Sequence, residues 1–344
     1  MSAPTHLSAE SRARLDQHFA DTAEAFNATP RDPSVGQHFS ATPSVAQTVY
    51  EKIVEHGDSF LKLINVIGVR DIKGEKVGMS LSGRSAGRTD TDSGVERKPK
   101  HLVKTDSKGF ELFHTEFDVA LKYSKIDAWS KFKDFANRYM KMVRTSIGDD
   151  MLQTGWTGIS AETFTDLAAN PLLQDLNKGW LQLLREFKGG QQYLKATAEL
   201  PIVLGSDSIK NLDVLVHQAK QMLPIYHRKR KDLVVIVGDD ILSSQEETYF
   251  ELNGDTPTEK AVLANRITKA YGNLPIVYAP FFPDGALLIT PLDNLSIYFQ
   301  DTSVRRLQKD KPELNEVQDF NSANQGYVVE DEEMAAFIEG ITLA

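Results

Sequence analysis

The 344-residue chain contains no cysteine. Disulfides, thiolate nucleophiles and thiolate metal sites are therefore excluded from its chemistry. Long apolar runs are also missing. The longest, such as Leu233 to Val237, fall far short of the ~20 residues that a membrane-spanning helix needs. The opening residues, Met1 to Asp16, lack the apolar core of a secretory signal, so a soluble protein made in the cytoplasm is expected. Positive charge is in deficit: 39 Lys and Arg against 48 Asp and Glu give a net charge of −9. A chain this acidic is unsuited to wrapping phosphate as its main task.

Short catalytic signatures are absent as well. There is no Walker A sequence, no glycine-rich dinucleotide turn and no G-x-S-x-G elbow. The eight histidines, His56, His101, His114, His217 and His227 among them, are scattered and form no H-E-x-x-H pair. No cofactor or metal is expected. At 41% hydrophobic and 25% charged residues the composition is ordinary for a globular protein, and the length allows two domains or one elaborated domain.

What is present begins with a hairpin between Gly74 and Tyr123. The outgoing strand places Val77, Met79 and Leu81 on one face. The returning strand places Phe113, Phe117, Val119, Leu121 and Tyr123 on one face and His114, Glu116, Asp118 and Lys122 on the other. Between them lies a polar tract, Ser82 to Lys108. An isolated ribbon is marginal in water and needs a surface to lie on. A polar tract this long is functional or disordered. The tip alternates in sign through Arg88, Asp90, Asp92, Glu96, Arg97, Lys98 and Lys100, which suits pairing with a neighbouring subunit or simple solvation, and not phosphate binding.

Residues 8–27 read as an amphipathic helix with Ser8 as N-cap, followed by a Pro-rich linker from Asn27 to Pro43. A second helix runs from Pro43 to Ile64, broken near His56-Gly57-Asp58. Ser124 to Trp156 reads as one helix with a stripe including Trp129, Phe132, Phe135, Tyr139, Met142, Val143 and Ile147. At ~1.5 Å per residue it would be roughly 50 Å long, a spine. Asn170 to Phe187 reads as helical, and Leu212 to Leu223 as a helix stopped by Pro224. Asp232 to Gly238 is a buried strand, Glu259 to Tyr271 a helix, and Leu274 to Tyr278 and Ala286 to Thr290 short strands. The remainder to Ala344 is mostly strand, with a solvated acidic turn at Glu330 to Glu333.

The one enzyme-like signal is Asp239-Asp240 after the buried strand, where carboxylates could meet a metal or a ribose. A strand running into a helix N-cap explains it more simply. The basic run His227 to Lys231 reads as a solvated turn, with contact to packaged DNA as the weaker alternative.

Long ordered stretches carry a resemblance. They are TPSVAQTVYEKI (42–53), DSFLKLINVIGVRDIKGEKVG (58–78), RTDTDSGVERKPK (88–100), NPLLQDLNKGWLQ (170–182), DLVVIVG (232–238), NLPIVYAPFFPDGALLITPLDNLSIYFQD (273–301) and YVVED (327–331). In these the sequence resembles the major capsid protein family of P2-like tailed phages. Residues 1–38, 187–210 and 243–260 resemble it weakly. The resemblance implies an α+β, Hong Kong 97-type capsid fold with a long spine helix, an extended β-hairpin loop, and peripheral and axial domains. It implies an N-terminal scaffolding segment and linker at 1–39, an N-arm at 40–65 and the extended loop at 66–123. Peripheral residues would be 124–207 and 293–344, and axial residues 208–292. Cleavage during maturation would fall at Phe39-Ser40. The implied function is non-enzymatic: self-assembly into the icosahedral procapsid and mature head around double-stranded DNA. Implied partners are further copies in hexamers and pentamers, the portal protein, a scaffolding protein or maturation protease and packaged DNA, with no membrane. The protein would be a virion component assembled in the host bacterial cytoplasm. The alternatives are a phage-derived protein compartment and an α/β enzyme using Asp239 and Asp240.

Overall fold

The computed structural model describes residues 7–31, 36–81, 103–129, 134–187, 192–206, 209–244 and 270–343, with a few single positions between them. In chain order the helices are α1 (Ala9–Ala25), α2 (Pro43–His56), α3 (Tyr123–Trp129), α4 (Phe135–Thr157), α5 (Trp180–Glu186) and α6 (Leu212–Met222). The strands are β1 (Gln37–Ser40), β2 (Asn65–Val69), β3 (Lys73–Leu81), β4 (Val103–Glu111), β5 (Phe113–Glu116), β6 (Val119–Lys122), β7 (Tyr193–Lys195), β8 (Val203–Leu204) and β9 (Leu233–Val237). They continue with β10 (Ala270–Tyr271), β11 (Leu274–Pro275), β12 (Ala286–Pro291), β13 (Leu295–Gln300), β14 (Arg305–Lys311), β15 (Glu316–Val329), β16 (Ala336–Glu339) and β17 (Thr342–Leu343).

The larger sheet is organised by β15. Its path runs β1-β14-β15-β13-β2, and β5 and β6 also pair with β15. Against it packs a core formed with α1, α2, α4 and α5, with Trp156 and Trp180 fully buried at its centre. The smaller sheet, β7-β16-β12-β9, separates this core from a second one. Val234, Ile236, Leu288 and Phe337 face the first core, while Val235, Val237, Leu287, Ile289 and Ile338 face α6. Both faces of β9 are covered, which is why Leu233–Val237 is an unbroken apolar run. The C-terminal residues divide between the sheets: β13 to β15 stay in the larger one, and β16 joins the smaller.

Several expected elements differ. The expected spine is two helices. In α4 the residues Phe135, Tyr139, Val143, Ile147 and Met151 recur every fourth position and are buried. Trp129 and Phe132 lie off that stripe and remain exposed, so the chain breaks before Phe135. The 23 residues of α4 give a spine of roughly 35 Å instead of 50 Å. The helix expected over 170–187 is confined to α5. Pro171, the left-handed Leu173 (φ 60°) and the Asp175 carboxylate, which accepts from backbone, hold the preceding residues in a loop. The Pro-rich linker contains a strand, β1. The second helix does break near Gly57, after which Ser59–Lys62 forms one 3-10 turn capped by Asp58. Of the helix expected over 259–271, only 270–271 lies within the described residues, as β10.

The hairpin is also redistributed. β3 pairs with β4, from Lys73↔Glu111 to Leu81↔Val103. Residues 113–122, expected to return along that ribbon, pair with β15 instead. The reason is their apolar face: Phe117, Val119 and Leu121 pack on the first core, which the ribbon cannot supply.

Candidate functional site

The ribbon is fixed at its base. Leu112 is buried and its N–H donates to Ile72 O at 2.8 Å. Lys73 Nζ meets Glu111 Oε1 at 2.6 Å, and the Phe110 ring stands edge-on to Tyr298 at 5.1 Å. Gly326 permits the close approach, since a Cβ there would lie 2.6 Å from Glu111 O. Of the tip residues singled out above, Arg88 and Glu96 are exposed. Asp90, Asp92, Arg97, Lys98 and Lys100 lie outside the described residues.

The N-terminal helix is docked on the body. Ser8 Oγ accepts from Ser11 N at 3.2 Å and starts α1, whose Leu15 and Phe19 enter the first core. The helix also covers a polar row on β14: Arg306, Gln308 and Asp310 are all buried. Arg12 Nη1 donates to Asp310 Oδ2 at 2.6 Å, and Tyr123 OH donates to Asp310 Oδ1 at 2.5 Å. Arg306 Nε and Nη2 grip Asp319 as a bidentate pair, at 2.8 and 2.5 Å. Gln308 Nε2 lies 3.3 Å from His18 Nε2, which therefore accepts. Burial, with Arg306 adding repulsion, pushes the His18 pKa down to about 4, so the ring is neutral.

Phe39 and Ser40 are in β1, opposite Arg306 and Arg305. Phe39 is buried against Phe26, with ring centroids 5.3 Å apart. The bond expected to be cut thus lies in a paired edge strand, not an open linker. Sequence reasoning missed β1 because Gln37-His38-Phe39-Ser40 follows a Pro- and Gly-containing stretch; the one apolar side chain, Phe39, is the signal.

Asp239 and Asp240 do not converge on a ligand-shaped site. Asp239 is exposed, and both Asp240 oxygens face Gly285 N, at 3.1 and 3.0 Å. Asp240 thus fastens the end of β9 to the turn before β12. No group of three His, Asp or Glu able to hold a metal occurs among the described residues. In the basic run, Arg228 Nε donates to Leu223 O at 2.6 Å, closing the end of α6, and Arg230 pairs with Asp232. Lys52, Arg144 and Arg305 line a cleft of about 510 Å³ between α1, α2, α4 and β14 and form no ion pair among the described residues.

A ribbon fixed at its base, an edge strand closed by the N-terminal segment and two cores sharing one sheet frame the described residues. Comparison with known proteins gives the family. Residues 14–341 match the family described as phage major capsid protein, P2 family. The chain is 34% identical to the "Capsid proteins" of Escherichia phage P2, covering 96% of this chain and 94% of that one. It is 31% identical to the "Major capsid protein" of Serratia phage KSP20, covering 97% of each. Among solved structures it is similar to a chain of the satellite phage P4 procapsid including size determination (Sid) protein. That match has TM-score 0.69 and 33% identity, over 86% of this chain and 99% of that one. A Gordonia phage Cozz chain shares the fold alone, at TM-score 0.52 and 12% identity over 84% and 87%. The chain belongs to the P2 family of phage major capsid proteins, and it is a structural component of a tailed-phage virion.

Proposed function

We propose that this chain assembles, as hexamers and pentamers, into the icosahedral procapsid and then the mature head around double-stranded DNA. The observation that carries the reading is the ribbon β3–β4, bonded along its length to itself and tied to the body at its base. Such an arm has its natural surface on a neighbour. Association is heterologous, because a ribbon of one copy meets a different surface of the next, and it closes into rings. Arg88, Asp90, Asp92, Glu96, Arg97, Lys98 and Lys100 make the tip contacts.

Residues 1–39 act as an internal scaffolding segment that a maturation protease removes at Phe39-Ser40. The polar row under α1 supports this, since Arg306, Gln308 and Asp310 can be hydrated when the helix leaves. Residues 40–65 are the N-arm and 66–123 the extended loop; 124–207 and 293–344 are peripheral, and 208–292 axial. The portal protein and the scaffolding protein or protease are partners, and the role is purely structural, without enzymatic activity. Packaged DNA is met without sequence preference, and the cleft-lining cations Lys52, Arg144 and Arg305 are suited to its phosphates. Assembly takes place in the host bacterial cytoplasm.

Negative-stain electron microscopy of the purified full-length chain tests the reading. Closed shells or hexameric and pentameric rings are expected; a strictly monomeric protein at all concentrations overturns it.

A further inference from the structure

Gly158 and Gly179 close a loop at the end of α4. Gly179 N donates to Gly158 O at 3.1 Å, and a Cβ on Gly158 would lie 2.2 Å from Asn177 O. Inside the closure the backbone is tied down. Ile159 N and Ser160 N donate to Gln174 O at 2.7 and 3.1 Å, and Glu162 N donates to Asp175 O at 3.0 Å. The buried Asp175 carboxylate accepts from Asp166 N at 2.7 Å and from Asn170 Nδ2 at 3.0 Å. Asp166 Oδ1 in turn accepts from Ala168 N and Ala169 N. Leu173 is held at φ 60°, where a branched side chain is strained and stays only if its surroundings fix it.

This fixed loop presents apolar side chains to solvent. Phe164 is 90% exposed and Leu167 66%, with Ile159 and Leu172 about half exposed on the same loop. Single exposed apolar residues are ordinary, but four on one fixed loop point to an interaction surface. A loop of this length inside a compact body is functional when it is ordered. The chain also carries the complementary chemistry elsewhere. Glu162 is exposed on the loop, while exposed Lys62 lies beside exposed Leu63 and near exposed Ile67 at the start of β2.

We propose that this loop is a contact between subunits, in which Phe164 of one copy is buried against a second copy of this chain. The inference rests on the shell-forming reading above and adds a second contact, independent of the ribbon. The occupant is a second copy because the chain belongs to a family of major capsid proteins and is similar to a chain of a procapsid, and because apolar and charged partners for the loop occur on the same sequence. One buried phenylalanine covers about 150–250 Å², and a shell repeats the contact at every subunit.

The absence of cysteine allows a direct test with Phe164→Cys, whose thiol is the only one in the chain. Maleimide labelling is measured on free subunits and on assembled particles. The expected result is rapid labelling of subunits and at least about tenfold slower labelling in particles, the burial of one exposed side chain being enough to remove access. Phe164→Asp is expected to keep the melting temperature and secondary structure of the parent, because the side chain is solvated, and to lower the yield of closed particles. Equal labelling rates in subunits and particles overturn the inference, and so does normal assembly of Phe164→Asp. If the unaltered chain forms no particles, the shell-forming reading itself fails; particles with a reactive Cys at this position sink the loop contact alone.

Discussion

Phe39 sits opposite Arg306 across the β1–β14 ladder, with its ring buried against Phe26. A protease needs an extended, unpaired substrate, so the proposed cut after Phe39 would require β1 to peel from β14 first. Free subunits should therefore resist cleavage near residues 36–41. Phe39→Ala removes the ring that anchors the strand; truncating a buried Phe costs ~3–5 kcal/mol in a closed core, and an edge strand falls at the low end. Limited proteolysis followed by mass spectrometry should show the variant cut several-fold faster at this strand. Mature heads should show a subunit starting near residue 40, and full-length protein in mature heads would contradict the processing step.

Arg12 is the cation on the buried Asp310 carboxylate. Arg12→Ala leaves that carboxylate with Tyr123 OH and removes its ion pair. Leaving a buried acceptor short of a partner costs about 1–3 kcal/mol, and water reaching the half-exposed Arg12 position holds the loss to the lower part of that range. Chemical denaturation should detect the loss in the full-length chain. A chain lacking residues 1–39 should respond less to changes at Asp310, because Arg12 is gone while Tyr123 OH still donates to that carboxylate.

His18 should make the docking of α1 dependent on pH. Its folded pKa, about 4, lies below the ordinary 6.5 because the neutral ring is buried beside Arg306; Asp319 and Asp21 oppose this only in part. The unfolded chain binds the proton first, so the contribution of His18 is complete above pH 6.5 and is lost as pH falls towards 4. Proteolysis of residues 7–31 should accelerate through that window. His18→Gln, which does not titrate, should flatten the profile; an unchanged profile would assign the effect to other groups.

Much of this could be read from the chain. The strand β9 was legible because both its faces are covered, and α2 because Val45, Val49 and Ile53 keep helical spacing with Pro43 at the start, although Ala46 and Tyr50 are the more deeply buried. The ribbon's outgoing strand was legible from Val77, Met79 and Leu81. Other elements were hidden by polar residues that tertiary contacts bury. In β15, Asp319 and Gln325 share one buried face, where Asp319 is matched by Arg306, while Glu316, on the other face, pairs with Lys122. Nothing local in Glu316 to Gln325 announces a long central strand. The loop before α5 kept an apolar spacing, Leu172, Leu173 and Leu176, that imitates a helix; its true organiser is the Asp175 carboxylate, a contact across the loop. Of the two proposed contacts, the ribbon was visible as a pattern and Phe164 was not, since its exposure depends on that closure.

Gly155 tests the packing of the spine. A Cβ at this position would lie 2.3 Å from the Trp180 ring, which is fully buried between Trp156 and Tyr327 and has nowhere to move. Gly155→Ala should cost about 1–3 kcal/mol by overpacking. At ~2–4 °C per kcal/mol for a chain of this size, calorimetry should register a fall of several degrees. No change in melting temperature would mean that α4 and α5 are not held as described.

The ribbon provides the most direct test of the shell account. Leu81 and Val103 end its paired register, so residues 82–102 can be replaced by Asn-Gly, a two-residue turn that closes antiparallel strands. Electron microscopy and sedimentation of this shortened chain, beside the full-length protein, measure what the tip contributes. The account predicts a folded subunit with an unchanged melting temperature that fails to form closed shells. Normal shells from the shortened chain would contradict it.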